Sequence, residues 1–427
     1  MTYNMTNEAL EAFERSCTVE NGVLTECKDK TIPSLFVPDE VTGIAKSALF
    51  GCTELKEISL PCVTLPVAEA FCDPDSKKFD FECNIEYAEV RGGELCEGAF
   101  ALVNTLKHVR IFVGAVSVPK QAFALCTRLE SIELPDSITS VGYEAFAACE
   151  SITEIILPSA ISELDEGVFN ACANLQKVIL PEGISVIPRG TFHGCRALES
   201  ISIPASVTRV AEYAFRDTSN LREIRFNGAV IIEDNSFCSE SIGNLSLSDK
   251  VTSINIDGFL HCDKLERITV DAENPTYRSE NNCLIEKASN TLLLASVGSE
   301  IPCGIVAIGK YAFSHRKRCP SIKFPDTLRS IGNGAFLGSE LTELVIPDGT
   351  EDIGENAFGL SFMLKTVKIP KSVKKIGNYA FSECNSLEEV TIPRRFVFRM
   401  RKIFLNYVSA IYNSKKATKN KPKINYT

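Results

Sequence analysis

Tryptophan is absent from the 427 residues, and methionine and histidine occur only four times each. So few histidines restrict the chemistry at once. His108, His193, His261 and His315 lie far apart, and no His-x-x-x-His or His-Glu-x-x-His spacing sets two metal ligands on one helical face. No Cys-x-x-Cys occurs among the 17 cysteines, so zinc-ribbon and thioredoxin-type motifs have no support. Neither G-x-x-x-x-G-K nor G-x-G-x-x-G is present to cradle a phosphate. No apolar run approaches the roughly 18 residues of a membrane span. Residues 1–25 carry Glu8, Glu11, Glu14 and Glu20 where an export signal would have a basic start and an apolar core. Taken alone, the sequence suggests a cytoplasmic or unconventionally exported chain with reduced thiols.

Charge narrows the field further. There are 45 Lys and Arg against 55 Asp and Glu, a net charge of -10. An acidic total lacks the basic footprint that general nucleic-acid binding needs. At 44% hydrophobic, the chain is too apolar to stay wholly disordered.

What is abundant is repetition. Val141-Gly142-Tyr143-Glu144-Ala145-Phe146-Ala147-Ala148-Cys149 is followed by Ile152, Ile155, Leu157 and Pro158. The same spelling returns through Phe169, Cys172 and Leu175, and again through Phe192, Cys195 and Leu198. The shared unit is I-G-x-x-A-F-x-x-C-x-x-L-x-x-I-x-I-P with a period of 23. Its Ala-Phe pair begins at 48, 70, 99, 122, 145, 168, 191, 214, 236, 258, 312, 335, 357 and 380, which marks fourteen coils. Two intervals are long: 29 before Ala99 and 54 before Ala312.

Each part of the unit has a physical reading. L-x-x-I-x-I alternates like a short strand with one buried face. Pro closes it in nine coils, from Pro61 to Pro393, because Pro cannot donate to a ladder. The A-F-x-x-C stretch is too short for an independent helix and predicts a tight or 3₁₀ turn whose Phe plugs the coil. One coil cannot bury its own apolar edge, so neighbours must stack. The predicted fold is a β-rich solenoid of about fourteen coils of 22–23 residues. A parallel sheet runs along one face, with short turns or 3₁₀ segments opposite.

The unit resembles the leucine-rich repeats of the BspA type, found in surface proteins of oral and gut bacteria and of some parasitic protists. The likeness spans residues 18–393. Thr18-Val19-Glu20-Asn21-Gly22-Val23-Leu24-Thr25 is similar to the hairpin that opens such arrays, and Asn-Gly between apolar residues is itself a hairpin signal. Asn274-Pro275-Thr276-Tyr277-Arg278-Ser279, with Leu284-Ile285 and Thr291-Leu292-Leu293, is similar to a hairpin insert common in the family. Asn281-Asn282-Cys283 stands where the family usually has Asp-Gly. The predicted organisation is a cap over 1–40, coils over 41–270, an insert over 271–300, coils over 301–393 and a basic tail over 394–427. The resemblance implies adhesion and protein binding at a cell surface, with a host extracellular-matrix or microbial surface protein as partner, and no enzyme activity, cofactor, metal or small-molecule substrate. An intracellular interaction scaffold and a hydrolase built on one face are the alternatives.

Seven cysteines (52, 126, 149, 172, 195, 262 and 384) share one coil position, where Thr218 and Ser339 also occur. A small buried residue is what that slot requires. The glycines at 142, 309, 332, 354 and 377 are attributed to the turn. The outward residues of the strands are mostly polar and mixed in sign. Ile156 and Ile179 are apolar in adjacent coils, flanked by Glu154 and Lys177. They are the candidate contact patch, against the plainer reading that β-branched residues suit strands.

Residues 394–427 hold ten Lys or Arg and no acid, against -20 for residues 1–393. Arg394, Arg395, Arg399, Arg401 and Lys402 interleave with Phe396, Phe398, Ile403, Phe404, Val408 and Ile411. Three readings compete: a basic amphipathic helix that makes weak membrane-surface contact or caps the array, a nucleic-acid-binding tail, and an end without function. The stretch 415–427 is expected to be unstructured.

Overall fold

A computed structural model describes residues 7–75, 81–92, 95–233, 235–237, 242–255, 257–259, 262, 264–315, 322–404 and 422–427. The chain divides into two compact units, residues 1–221 with 233–239 and residues 222–232 with 240–427. The repeat builds a parallel-sheet β-solenoid of about 15 turns.

The first unit opens with helix α1, Asn7–Ser16, which the sequence reading did not separate from the cap. Its Ala, Glu and Leu content favours a helix. Its Phe13 is buried, so α1 covers part of the array's apolar end. Strands β1, Cys17–Glu20, and β2, Val23–Cys27, then pair antiparallel. Asn21 and Gly22 turn the corner with φ of 51° and 78°, as a type I′ hairpin requires.

Each full coil has three hydrogen-bonded sides. In one, Glu154–Ile156 pairs parallel with Lys177–Ile179 of the next coil. On a second, the two-residue strand Ser140–Val141 pairs with Glu163–Leu164 and with Ser117–Val118. This narrow ribbon is additional to the single sheet expected. The third side is the A-F-x-x-C turn. There Ala145 N, Ala147 N and Cys149 N donate back three residues within the coil, at 3.2, 3.0 and 3.2 Å. The alternate groups, Glu144 N, Phe146 N and Ala148 N, donate to Glu166 O, Val168 O and Asn170 O of the next coil at 3.0, 2.9 and 2.7 Å. Glu144 and Ala148 are left-handed, with φ of 51° and 57°. Gln121, Leu125, Tyr379 and Glu383 repeat that geometry. Such residues cost roughly 1–2 kcal/mol each; the bonds between coils hold them there. A 3₁₀ segment forms at Asp257–Phe259.

Inside, the plugs stack. Phe100, Phe123, Phe146, Phe169, Phe192, Phe215 and Phe237 form six consecutive pairs with centroids 5.0–5.6 Å apart and planes within 18°. That is the offset-stacked arrangement rings prefer. The cysteine slot is explained by the same register. Cys126, Cys149, Cys172 and Cys195 donate from Sγ to the carbonyls of Phe100, Phe123, Phe146 and Phe169, at 3.0, 3.2, 3.0 and 3.1 Å. The slot requires a small residue that is also a donor. Thr218 also donates there, but to Phe215 O of its own coil, at 2.8 Å.

The second unit repeats these devices. Phe313, Phe336, Phe358, Phe381 and Phe404 stack at 4.9–5.2 Å. Cys384 Sγ donates to Phe358 O at 3.2 Å. The insert is three-stranded: Tyr277–Glu280, Cys283–Glu286 and Thr291–Ala295 pair antiparallel in sequence. Asn281 and Asn282, with φ of 51° and 56°, make its first turn in place of Asp-Gly. The last insert strand continues into the narrow ribbon through Ala307–Ile308, Ser330–Ile331, Asp352–Ile353 and Lys375–Ile376.

The glycines beside that ribbon correct the turn reading. Their φ is ordinary, but the coils approach too closely for a side chain. A Cβ on Gly332 would lie 2.7 Å from Gly309 C, one on Gly354 2.5 Å from Gly332 C, and one on Gly377 2.3 Å from Glu355 N.

The tail is also corrected. Arg394–Arg399 and Met400–Ile403 are short helical turns that bury Phe396, Ile403 and Phe404. Lys423–Tyr426 pairs parallel with Glu389–Ile392, so the end expected to be unstructured adds a strand. Residues 394–404 cap the array. Of the apolar side chains named for a membrane-lying helix, Phe396, Ile403 and Phe404 are buried against the core and Phe398 is fully exposed. Val408 and Ile411 lie outside the described residues. Among the described residues, no helix is long and apolar enough to cross a membrane.

Candidate protein-binding face

Strand alternation sends Ile155 and Val178 into the core of the first unit and turns their neighbours outward. The parallel register sets Glu154 directly opposite Lys177 and Ile156 directly opposite Ile179. All four candidate residues therefore meet on one surface. Lys177 Nζ donates to Glu154 Oε1. Ile156 is 60% exposed and Ile179 44%. The result is a small apolar step bounded on one side by an ion pair, without a covering side chain of its own.

Toward the N-terminus the same face becomes polar. Arg110 is paired with Glu133 at 3.0 Å. His108 Nδ1 and Ser131 Oγ share a 2.9 Å hydrogen bond, and His108 Nε2 lies 3.9 Å from Glu130 Oε2. The hydrolase alternative would look here first. A working serine nucleophile needs its histidine oriented by a hydrogen-bonded carboxylate and donors aimed at an oxyanion. Glu130 is beyond hydrogen-bonding distance, and all three side chains stand in solvent.

One row of the face escaped the sequence reading. Tyr87–Val90 lies between Glu57–Leu60 and His108–Ile111. Its Glu89 is buried although it points to the outer side. Glu89 accepts hydrogen bonds from Tyr87 at 2.9 Å and Ser59 at 3.2 Å. Burial, and then the bond to Glu89, push the Tyr87 hydroxyl up to about 12. Arg91 donates to Ser59 at 2.8 Å and Asp39 at 2.7 Å and lies 3.8 Å over the Phe36 ring. The alternation in Tyr-Ala-Glu-Val was the available signal, hidden by the 29-residue interval.

Elsewhere in the first unit an open groove of about 490 Å³ follows the narrow ribbon, lined by Ser117, Ser140, Ser162, Glu163, Asp165 and Ser185. Among the described residues, no group of three or more His, Cys, Asp or Glu is arranged to hold a metal ion.

Stacked coils of this length, with one strand, one Phe plug and one leucine position apiece, define a leucine-rich-repeat solenoid. The chain belongs to the BspA type leucine rich repeat family, which matches residues 11–90, 93–222, 185–288 and 293–411. The last match runs past Pro393, in keeping with the capping turn that ends in Phe404. In structure the chain is similar to a leucine-rich repeat protein from Bacteroides ovatus, at 21% identity over 100% of this chain and 98% of that one, with a TM-score of 0.55. It is similar to a leucine rich cell surface protein from Faecalibacterium prausnitzii, at 22% identity over 87% and 84% of the two chains, with a TM-score of 0.42. A third likeness is to the pneumococcal vaccine antigen PcpA, at 14% identity over 96% and 95%, with a TM-score of 0.40. No curated protein matches by sequence.

Proposed function

We propose that this solenoid is a non-enzymatic adhesin, and that the outer face of its main sheet binds a protein at the microbial or host surface. Membership of a repeat family supports an interaction scaffold. The observation that carries the reading is the pair Ile156 and Ile179, exposed and in register beside the Glu154–Lys177 ion pair. An apolar centre with a polar border is the anatomy of a contact that excludes water from a few anchoring side chains. The partner that fits presents an apolar side chain to the isoleucine step and a polar rim to Glu154 and Lys177. Purified fibronectin, laminin and collagen, immobilised separately, test this against the full chain. Saturable binding to one of them is the expected result; binding to none contradicts an adhesive role toward matrix proteins.

A further inference from the structure

The N-terminal cap brings two cysteines face to face beside Cys52 of the first coil. Cys17 on β1 stands directly opposite Cys27 on β2. The pair is a non-hydrogen-bonded one, because Lys28 N donates to Ser16 O at 2.6 Å and Cys27 N turns away to Ala48 O at 2.7 Å. At such positions opposed Cα atoms are about 4.5 Å apart and the side chains are closest. That separation falls within the span a disulfide bridges, about 4.4–6.8 Å. The Cys27 thiol donates to Asp29 O at 3.3 Å, and the Cys17, Cys27 and Cys52 thiols lie close enough to shift one another's titration.

We infer that Cys17 and Cys27 form a thiol pair that reacts with small-molecule disulfides and closes to a cross-strand disulfide, locking the hairpin of the cap. β1 is the edge strand of its sheet, so Cys17 is the sulfur approached first. It is also the least buried of the three. The neighbouring Cys27 thiol holds the Cys17 thiol below its usual range, with Lys30 and Lys28 acting in the same sense against burial and Cys52. The neighbouring Cys17 thiol pushes Cys27 up to about 11, and Cys52 is raised chiefly by its neighbour Cys27. Thiolate character therefore collects on Cys17.

The exchange balances without any further reactant. The Cys17 thiolate attacks one sulfur of the small disulfide, forming a mixed disulfide and releasing one thiolate, which takes up a proton. Cys27 then attacks Cys17 Sγ; its proton passes to the second departing thiolate. Two protein thiols are oxidised and one disulfide is reduced to two thiols. The new bond closes a short loop around the Asn21-Gly22 turn.

The test uses the full native chain and oxidised glutathione, followed by alkylation of the remaining thiols and peptide mapping. The expected product is a Cys17–Cys27 link with the loss of two hydrogens, formed about tenfold or more faster than any modification of Cys149. Cys27→Ser should stop at glutathione attached to Cys17. A link from Cys52 to either partner, or no link while exposed Cys303 is glutathionylated, overturns the inference. The wild-type map decides the matter even if the variant folds poorly.

Discussion

Cys172 donates its thiol proton to the carbonyl of Phe146 in the preceding coil, 3.0 Å away. That carbonyl already accepts from Cys149 N at 3.2 Å, so the thiol supplies a second bond across the stack. A serine keeps the donor and nearly the size; an alanine loses both. We expect Cys172→Ser to cost about 1 kcal/mol or less, Cys172→Ala about 1–2 kcal/mol and Cys172→Val about 1–3 kcal/mol through overpacking. Urea unfolding midpoints of the three variants check the order.

The same thiols set an alkaline limit to stability. Burial pushes Cys172 and Cys384 from 9.0 up to about 12, and raises Cys126, Cys149 and Cys195 as well. Between those values the unfolded chain has released a proton that the folded chain retains. Stability should therefore be unaffected by these groups below about pH 9 and fall above it, by about 1.4 kcal/mol per pH unit for each thiol. Unfolding followed from pH 8 to about pH 11 should show a shallower loss in Cys172→Ser than in the parent.

The glycine column separates close approach from backbone handedness. Gly354 has an ordinary φ but no room, whereas Gly298 has a φ of 71° and nothing within 4 Å of its missing Cβ. Gly298→Ala should cost about 1–2 kcal/mol, the left-handed penalty alone. Gly354→Ala forces backbone against backbone and should cost more, about 3 kcal/mol or above. Equal effects in thermal melts would mean that the coils part easily at Gly354.

Phe404 tests the capping turn. It stacks on Phe381 at 5.2 Å and is buried. Phe404→Ala should destabilise the second unit by about 3–5 kcal/mol and raise amide exchange in Glu389–Ile392, while Phe398→Ala, at a fully exposed ring, should change neither. Exchange mass spectrometry on the two variants gives the comparison.

How much of this was legible follows from how each residue is held. The coils were readable because the plug is Phe in thirteen of the fourteen coils and the strand keeps an apolar residue at the same place, so the register is written again in each coil. Ile403-Phe404 also lies 23 residues after Ala380-Phe381, but without the small residue before Phe and with its strand delayed to Lys423–Tyr426, it did not read as a coil. The left-handed turn positions carry Gly or Asn in some coils, as at Gly98, Gly167, Gly194 and Asn356, but Tyr, Leu, Glu or Gln in others, where hydrogen bonds to the next coil hold the conformation. Local propensity signals the conformation at the Gly and Asn positions and not at the others. Glu89 was missed for a related reason: its burial is created by Tyr87, Ser59 and the strand beside it, not by its own polarity. The four patch residues were readable because strand alternation fixes which way they point.

The central claim is that the isoleucine step on the main sheet recognises a protein, while the stacked interior only supports it. The direct measurement is equilibrium binding of the Ile156→Ser/Ile179→Ser double variant to the matrix protein that the wild-type chain captures, beside Val345→Ser as a control at the matching exposed position of the second unit. An unchanged fold by circular dichroism is expected, with a loss of affinity of about tenfold or more for the double variant and none for the control. Binding by a folded double variant at wild-type affinity would contradict it.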